Sequence, residues 1–470
     1  MYHPLNSTRW SALALAILIL TTPGTSVFAE ELPGLALPRA VENARAWEEV
    51  DTEGINRLKY LPIGEDGYLS VGGDFRLRTD AINHSGWRAD QGWEGAVFER
   101  VMLHGELGQG DHLRLFLQLR SGFVQGPTSP GPVDRDLLDV HQAFGEVRGL
   151  ELGEFTWRVR AGRLEISEGR LLSLREGPTI RLSHDGLWGE AASQTLRLRA
   201  MVLRPVQIGG GVFDDRSSMQ QWLWKVVLRA QIWEEGGSRL AVEGLVMEGV
   251  QEQARYHRGA GSEARQSLGV RGDLRVATDA GALDADLEGV YQTGVFDSID
   301  IQAHRLSFEG GWRADWHWKP RLFLQLDRAS GDQGSGSPVG TYQAYHPRGA
   351  YFSEWSSFAP SNLTALSPGL EILPVDGVTL RLDAGRFWRT SVEDGIYSVG
   401  MAPTLGPGGD QGGAQEMHIG DLVGLYLGWD LGRYARLNAG AVLFRPGGYL
   451  QELGRSATVH YLTGWTSFQF

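Results

Sequence analysis

The stretch Leu69-Ser70-Val71-Gly72-Gly73-Asp74-Phe75-Arg76-Leu77-Arg78-Thr79-Asp80 alternates without a break. Leu69, Val71, Gly73, Phe75 and Leu77 fall on one parity; Ser70, Gly72, Asp74, Arg76, Arg78 and Asp80 fall on the other. A period of two places successive side chains on opposite faces of a sheet, so this is a strand with one apolar and one charged face. A soluble sandwich produces the same pattern. The stretch decides the fold only together with what surrounds it.

Working outward, the pattern recurs at His112–Phe123, Thr195–Val202, Leu268–Val276, Ala282–Tyr291, Arg321–Asp327 and Val378–Arg389. Helical periodicity is scarce after residue 60. The connections alternate as well. Tight links centre on Gly108–Asp111, Gly149–Glu154, Ser193-Gln194, Glu234–Ser238, Thr278–Gly281, Lys319-Pro320, Pro374–Gly377 and Leu431–Arg433. Long ones cover roughly 81–95, 125–138, 167–185, 206–218, 250–265, 295–301, 330–360, 391–416 and 445–455. Eight short and nine long connections give eighteen strands, with sixteen the near alternative. Short turns on one side and long loops on the other are the pattern of a closed antiparallel transmembrane β-barrel of the outer membrane, turns periplasmic and loops extracellular.

Both termini agree. Counting back from the end, Phe470, Phe468, Thr466, Gly464 and Leu462 share one face, and Gln469, Ser467, Trp465 and Thr463 the other. A closing strand with a terminal Phe is the mark by which barrel-assembly machinery is expected to take up the chain through Phe470. At the start, Arg9, the apolar run Ser11–Leu20 and Val27-Phe28-Ala29 read as a secretory signal over 1–29, cleaved to leave Glu30. That run is about half the ~20 residues a spanning helix needs. Residues 30–66 are expected to form a periplasmic-side segment leading into a barrel over 67–470.

Composition narrows the chemistry. The 470 residues contain no cysteine, which removes thiol catalysis, thiolate metal sites and disulfides together. Gly (64) and Trp (16) are abundant, as turns and interfacial girdles require. The net charge of −13 speaks against nucleic acid as a partner. Among the basic residues only Lys59, Lys225 and Lys319 are lysine. Coding bias could do this; so could a need for the planar guanidinium fork that grips carboxylates.

Three ordered stretches resemble the alginate export family of outer-membrane proteins. The first is Leu58-Lys59-Tyr60-Leu61-Pro62 followed by Gly72–Arg78. The second runs through Gly162-Arg163-Leu164-Glu165, Gly169-Arg170-Leu171, Arg175-Glu176, Arg181 and Asp185-Gly186. The third joins Ser361-Asn362-Leu363, Pro368-Gly369-Leu370, Phe387-Trp388-Arg389, Asp394 and Tyr397. Leu164 and His184 depart from the family pattern, in the segment expected to touch solute. The resemblance implies an eighteen-stranded monomeric barrel whose arginine-lined lumen conducts an anionic uronate polymer.

Strand parity supplies the candidate lining residues. With the apolar face toward lipid, Arg76, Arg78, Arg114, Arg120, Arg197, Arg199, Arg271, Arg275, Arg381 and Arg389 point inward, joined by Lys225 and Arg229. Asp74, Asp80, Asp273, Asp284, Asp286, Asp327 and Asp383 share that side. Guanidinium groups facing fewer carboxylates would concentrate acidic sugars and exclude cations. If each arginine instead pairs with a neighbouring carboxylate, the set stiffens the wall. The dense array Arg163, Arg170, Arg175 and Arg181, with Glu165 and Glu168, is expected to fold inward and narrow the pore. Tyr342, Tyr345, Tyr351, Phe352 and Trp355 stack on sugar rings or pack the rim.

Other functions leave weaker traces. Neither a Gly-x-Ser-x-Gly elbow nor a His-Glu-x-x-His zinc motif is present, so no catalytic residue, metal or cofactor is expected. His104, His304 and His317 are scattered on separate strands. The expected partners are outer-membrane lipid and lipopolysaccharide, with an anionic polysaccharide or small anionic solute inside. Export of a polymer and uptake of small organic acids or aromatic compounds both fit the sequence.

Overall fold

The computed structural model describes residues 39–50, 53–126, 131, 133–169, 179–345, 347, 350–355, 358–409 and 412–470. The expected leader over 1–29, and the candidates Arg170 and Arg175, lie outside the described residues.

Eighteen strands close into one antiparallel barrel: β1 (Gly67–Asn83), β2 (Trp93–Gln109), β3 (Leu113–Gln125), β4 (Asp136–Leu152), β5 (Phe155–Leu164), β6 (His184–Ala192), β7 (Leu196–Gln207), β8 (Gln221–Glu235), β9 (Ser238–Tyr256), β10 (Gly259–Thr278), β11 (Gly281–Phe296), β12 (Ile299–Ala314), β13 (Arg321–Ala329), β14 (Leu363–Ile372), β15 (Val378–Arg389), β16 (His418–Asp430), β17 (Ala435–Pro446) and β18 (Val459–Gln469). Each pairs with the next, and β18 returns to β1 in the register Asp74↔Gln469 to Ile82↔Tyr461. Gly73 and Phe470 exchange two backbone hydrogen bonds of 3.0 and 3.1 Å, which fastens the seam to the last residue. Closure is obligatory in hydrocarbon, where an open edge strands its backbone groups at several kcal/mol each.

The packing is inverted relative to a soluble protein. On β3, Leu115 is 59% exposed while its neighbour Arg114 is 3% exposed. Leu113, Leu117 and Phe123 are exposed too; Phe116, Gln118 and Arg120 are buried. Apolar side chains point out to lipid and charged ones point in.

Turns fall where the sequence places them, with two exceptions at the long-loop end. The links read as long over 250–265 and 295–301 are tight turns at 257–258 and 297–298, because β9 to β12 run on past the membrane. Asp297 and Ser298 adopt left-handed φ of 43° and 70°, as a two-residue hairpin turn of matching twist demands. Asp297 also accepts hydrogen bonds from the Ser262 amide and hydroxyl, at 2.9 and 3.1 Å. Beyond the lipid both faces of a strand are polar, so alternation fades while pairing continues.

Candidate functional site: an arginine-lined lumen filled from both ends

The periplasmic end is occupied by the chain's own N-terminal segment. Short helical turns at Arg39–Val41, Ala44–Trp47 and Gly54–Lys59 precede the barrel. Ala40 packs with the inward Phe116, Phe144, Trp188, Met201 and Leu203. Arg114 donates to the Ala40 carbonyl at 2.8 Å. Arg39 lies 2.9 Å from Glu42 and donates to the carbonyl of Phe470. Trp47, itself buried, receives the Arg433 guanidinium over its ring at 5.0 Å. Lys59 is buried 3.5 Å from Glu42, and burial lowers its pKa to about 8.

Along the inner wall nearly every arginine is matched. Arg76 and Arg78 lie over the Trp465 ring at 5.2 and 5.1 Å, and Arg78 also bonds Asp80 (2.8 Å) and the Tyr461 hydroxyl (2.7 Å). Arg100 meets Asp74 at 2.9 Å. Arg114 bridges Glu106 (2.6 Å) and Glu146 (3.4 Å), and Arg160 reaches the same Glu146. Arg120 holds Asp136 (2.8 Å) and Asp215. Arg181 holds Glu165 at 2.5 Å. Arg199 spans Glu168 (2.7 Å) and Glu243 (3.1 Å), while Lys225 donates to the Glu168 carbonyl at 2.9 Å. Arg197 sits 3.6 Å from Glu190 and is largely exposed. Among the described residues, eleven arginines and two lysines are buried against fourteen buried carboxylates. The expected excess of guanidinium over carboxylate is therefore absent from the buried wall. Charges taken out of water need partners, and these have them.

The extracellular half is closed over β10 to β18 by two inserted loops. The first of them, over 330–362 between β13 and β14, touches β12 in one parallel bridge, where Val339 donates to the Asp300 carbonyl (2.8 Å) and accepts from the Gln302 amide (3.1 Å). Wall residues hold this loop: Arg265 donates to the Thr341 carbonyl (2.9 Å), Gln292 exchanges two 2.9 Å bonds with Gln343, and Arg305 reaches the Tyr351 hydroxyl. Arg305 also bonds Glu288 (2.8 Å) and Asp327 (2.6 Å). The loop over 390–417 is locked to the first by Asp394, which accepts from the Asp332 amide (2.9 Å), the Thr341 hydroxyl (2.6 Å) and the Tyr397 hydroxyl (2.7 Å). Asn362 donates to the Ser391 and Gly395 carbonyls, at 3.2 and 3.0 Å. Arg389 turns away from the open lumen and donates to four carbonyls, of Val392, Asp394, Ala414 and Glu416, at 2.7–3.1 Å.

What stays solvated is the periplasmic half of the wall from β8 to β15. Here a cavity of about 270 Å³ is lined by Arg239, Arg271, Asp273, Arg275, Asp284, Asp286 and Glu309. Arg271 pairs with Asp286 at 2.6 Å and Arg321 with Asp284 at 2.5 Å. Arg381 pairs with Asp383 at 2.8 Å, yet its side chain is 39% exposed. Arg321 and Arg381 both stack on Phe323, at 5.0 and 4.6 Å. Arg275 makes no ion pair among the described residues and is exposed.

The sequence-derived set thus divides. Arg271, Arg275 and Arg381 line the solvated wall, with Arg197 near its periplasmic rim. Arg76, Arg78, Arg114, Arg120, Arg181 and Arg199 face inward but are tied into buried networks. Arg389 is a loop clamp. Arg163 lies on the parity opposite to the inward Arg158 and Arg160, and it pairs across strands with Asp185 at 2.8 and 3.1 Å. The flanks of its segment do fold inward, for Ile166, Glu168, Ile180 and Arg181 are all buried. Tyr342 and Tyr345 are buried packing, and Phe352 and Trp355 join the cluster around Phe358, Phe387 and Phe444. Arg39, Arg100, Arg265, Arg305 and Arg321 were not singled out. Parity on β2 and β12 would have found Arg100 and Arg305, whereas Arg265 fell in a stretch read as loop.

Solved outer-membrane proteins share this architecture at low identity, which speaks to fold alone. Pseudomonas aeruginosa OccK11 (OpdR) is 14% identical with a TM-score of 0.55, covering 87% of this chain and 99% of its own. Acinetobacter baumannii OccAB4 is 11% identical with a TM-score of 0.56, covering 85% and 98%. Pseudomonas aeruginosa OpdK, solved with vanillate, is 11% identical with a TM-score of 0.55, covering 85% and 98%. No match is found among curated proteins. The model of the alginate export family matches residues 67–464, from the first residue of β1 into β18, and the chain belongs to that family of outer-membrane β-barrels.

Proposed function

We propose that this barrel is a non-enzymatic channel for a carboxylated solute, and that the solute travels along the solvated wall of β8 to β15. The observation that carries this is the set Arg271, Arg275 and Arg381, sequence-derived arginines of this wall whose side chains reach solvent: Arg275 is exposed, Arg381 39% and Arg271 25% exposed. A passing carboxylate can displace Asp286 or Asp383 from its arginine, exchanging one charge-assisted fork for another. Arg275 offers an unshared one. Phe323, buried between Arg321 and Arg381, stacks under both guanidinium groups and holds them against this wall.

An acidic polysaccharide is the solute the family points to. A small organic or aromatic acid is the second reading. It is favoured by the loops that fill the extracellular half of the lumen, and OpdK holds such an acid. In either case the N-terminal segment must yield for material to cross. Ion current through the reconstituted barrel, challenged with oligouronate or with benzoate, separates the readings. Blockade by oligouronate alone supports the polymer, blockade by benzoate alone supports the small acid, and blockade by neither rejects a carboxylate path.

A further inference from the structure

The outer face of the extracellular rim is not uniform. Cross-strand register aligns Arg328, Thr364, Trp388 and His418 in one row over β13 to β16. A second row, one pleat nearer the membrane centre, aligns Leu326, Leu366, Arg386, Asp421 and Arg445 over β13 to β17. All share the parity of the lipid-facing Leu322, Leu382, Val423, Leu425 and Leu443, which lie toward the membrane centre on the same strands. At ~4.8 Å between strands, the patch is ~19 Å wide.

Its charge is lopsided. Three arginines meet a single carboxylate, Asp421, which Arg386 grips at 2.6 and 3.1 Å while His418 lies 3.3 Å away. The Arg386 side chain is still 56% exposed. Arg328 and Arg445 are exposed and make no ion pair among the described residues. Trp388, beneath Arg386 at 6.0 Å, sits where an interfacial aromatic belongs. The rim of β8 to β10 differs: there Trp224 and Gln266 both donate to Glu248, at 2.9 and 3.4 Å. Exposed guanidinium groups just above an apolar belt are poorly placed for a soluble anion and well placed for one carried on a lipid.

We propose that the rim of β13 to β17 docks the phosphate groups of lipopolysaccharide in the outer leaflet, with Arg328, Arg386 and Arg445 as the phosphate ligands and Trp388 against its sugar base. The site faces outward, so it stands apart from the solute path.

The test uses the whole barrel, purified in detergent and stripped of lipid. Native mass spectrometry follows binding of lipopolysaccharide, phosphatidylglycerol and inorganic phosphate in separate arms. The wild type should retain lipopolysaccharide, and the triple variant Arg328→Gln, Arg386→Gln, Arg445→Gln should retain it about tenfold less tightly. Reversal potentials should be the same in both. Should the triple variant fail to fold, Arg445→Gln alone, at an exposed side chain, should still weaken retention severalfold. Equal retention by wild type and variant overturns the proposal. So does equal binding of phosphatidylglycerol, which would mark a generic anionic-lipid surface, or competition by inorganic phosphate alone.

Discussion

The guanidinium of Arg39 donates to the main-chain carbonyl of Phe470, so the segment ahead of the barrel is tied to the residue that closes it. Arg39 is 1% exposed and also holds Glu42. The plug and the seam are one hydrogen-bonded unit, which makes the plug's docking testable by single substitutions.

Arg39→Ala leaves Glu42 with Lys59 as its cation and takes a charged donor from the Phe470 carbonyl. Losing a hydrogen bond from a charged group costs about 1.5–3 kcal/mol. Docking of the N-terminal turns should weaken accordingly. Limited proteolysis should cut between residues 39 and 60, and single-channel conductance should rise. A protected segment with unchanged conductance would show that Arg39 does not hold it.

Lys59 gives the plug a pH dependence. Burial lowers its pKa from 10.5 to about 8, so the undocked segment binds more protons than the docked one between those values. Docking then strengthens as pH rises from about 8 to 10.5 and is level below that window. Conductance should fall across the same range. Lys59→Met should flatten the profile, and a wild-type profile already flat would show that Lys59 does not control docking.

On the opposite side, Arg305 neutralises two buried carboxylates, Glu288 and Asp327. Arg305→Ala should cost about 3–5 kcal/mol by leaving charge buried and unpaired. The melting temperature should drop, and the loop over 330–362 should become protease-sensitive as Tyr351 loses its anchor. Adding Glu288→Gln and Asp327→Asn should recover most of the stability. No recovery would mean that packing, not charge, was lost.

Phe470→Asp places a charge at the seam, where Phe470 and Gly73 exchange backbone bonds. Secretion should be intact, with little heat-modifiable barrel in outer-membrane fractions. Normal membrane levels would show that assembly does not read the terminal Phe.

Much of this architecture was legible because lipid enforces it. One apolar parity per strand and alternating turn lengths gave strand number, closure and the inward side. Asn362, Asp394 and Tyr397, which carried the family resemblance, prove to be the locks of the inserted loops. Pairing was not legible. Parity says that Arg114 and Arg271 both face inward, but only register and the docked segment show that one is sealed and the other wetted. Arg163 departs for a different reason: the inward-folding segment begins after it, and Arg163 still belongs to β5, on the outward parity beside the inward Leu164. For Arg389 parity gives the inward side but not the role, because a clamp onto loop carbonyls leaves no trace in strand periodicity.

If the solvent-reaching arginines of the β8 to β15 wall set an anion path, as proposed, the reversal potential across a salt gradient reports it most directly, for wild type and for the triple variant Arg271→Gln, Arg275→Gln, Arg381→Gln. One unit charge at ~4 Å and an effective dielectric of ~20 acts with ~4 kcal/mol before salt screens it, so losing three should be plain to see. The wild type should prefer anions, and the variant, folded and conducting, should lose most of that preference. A wild type that prefers cations, or a variant with the same reversal potential, would contradict it.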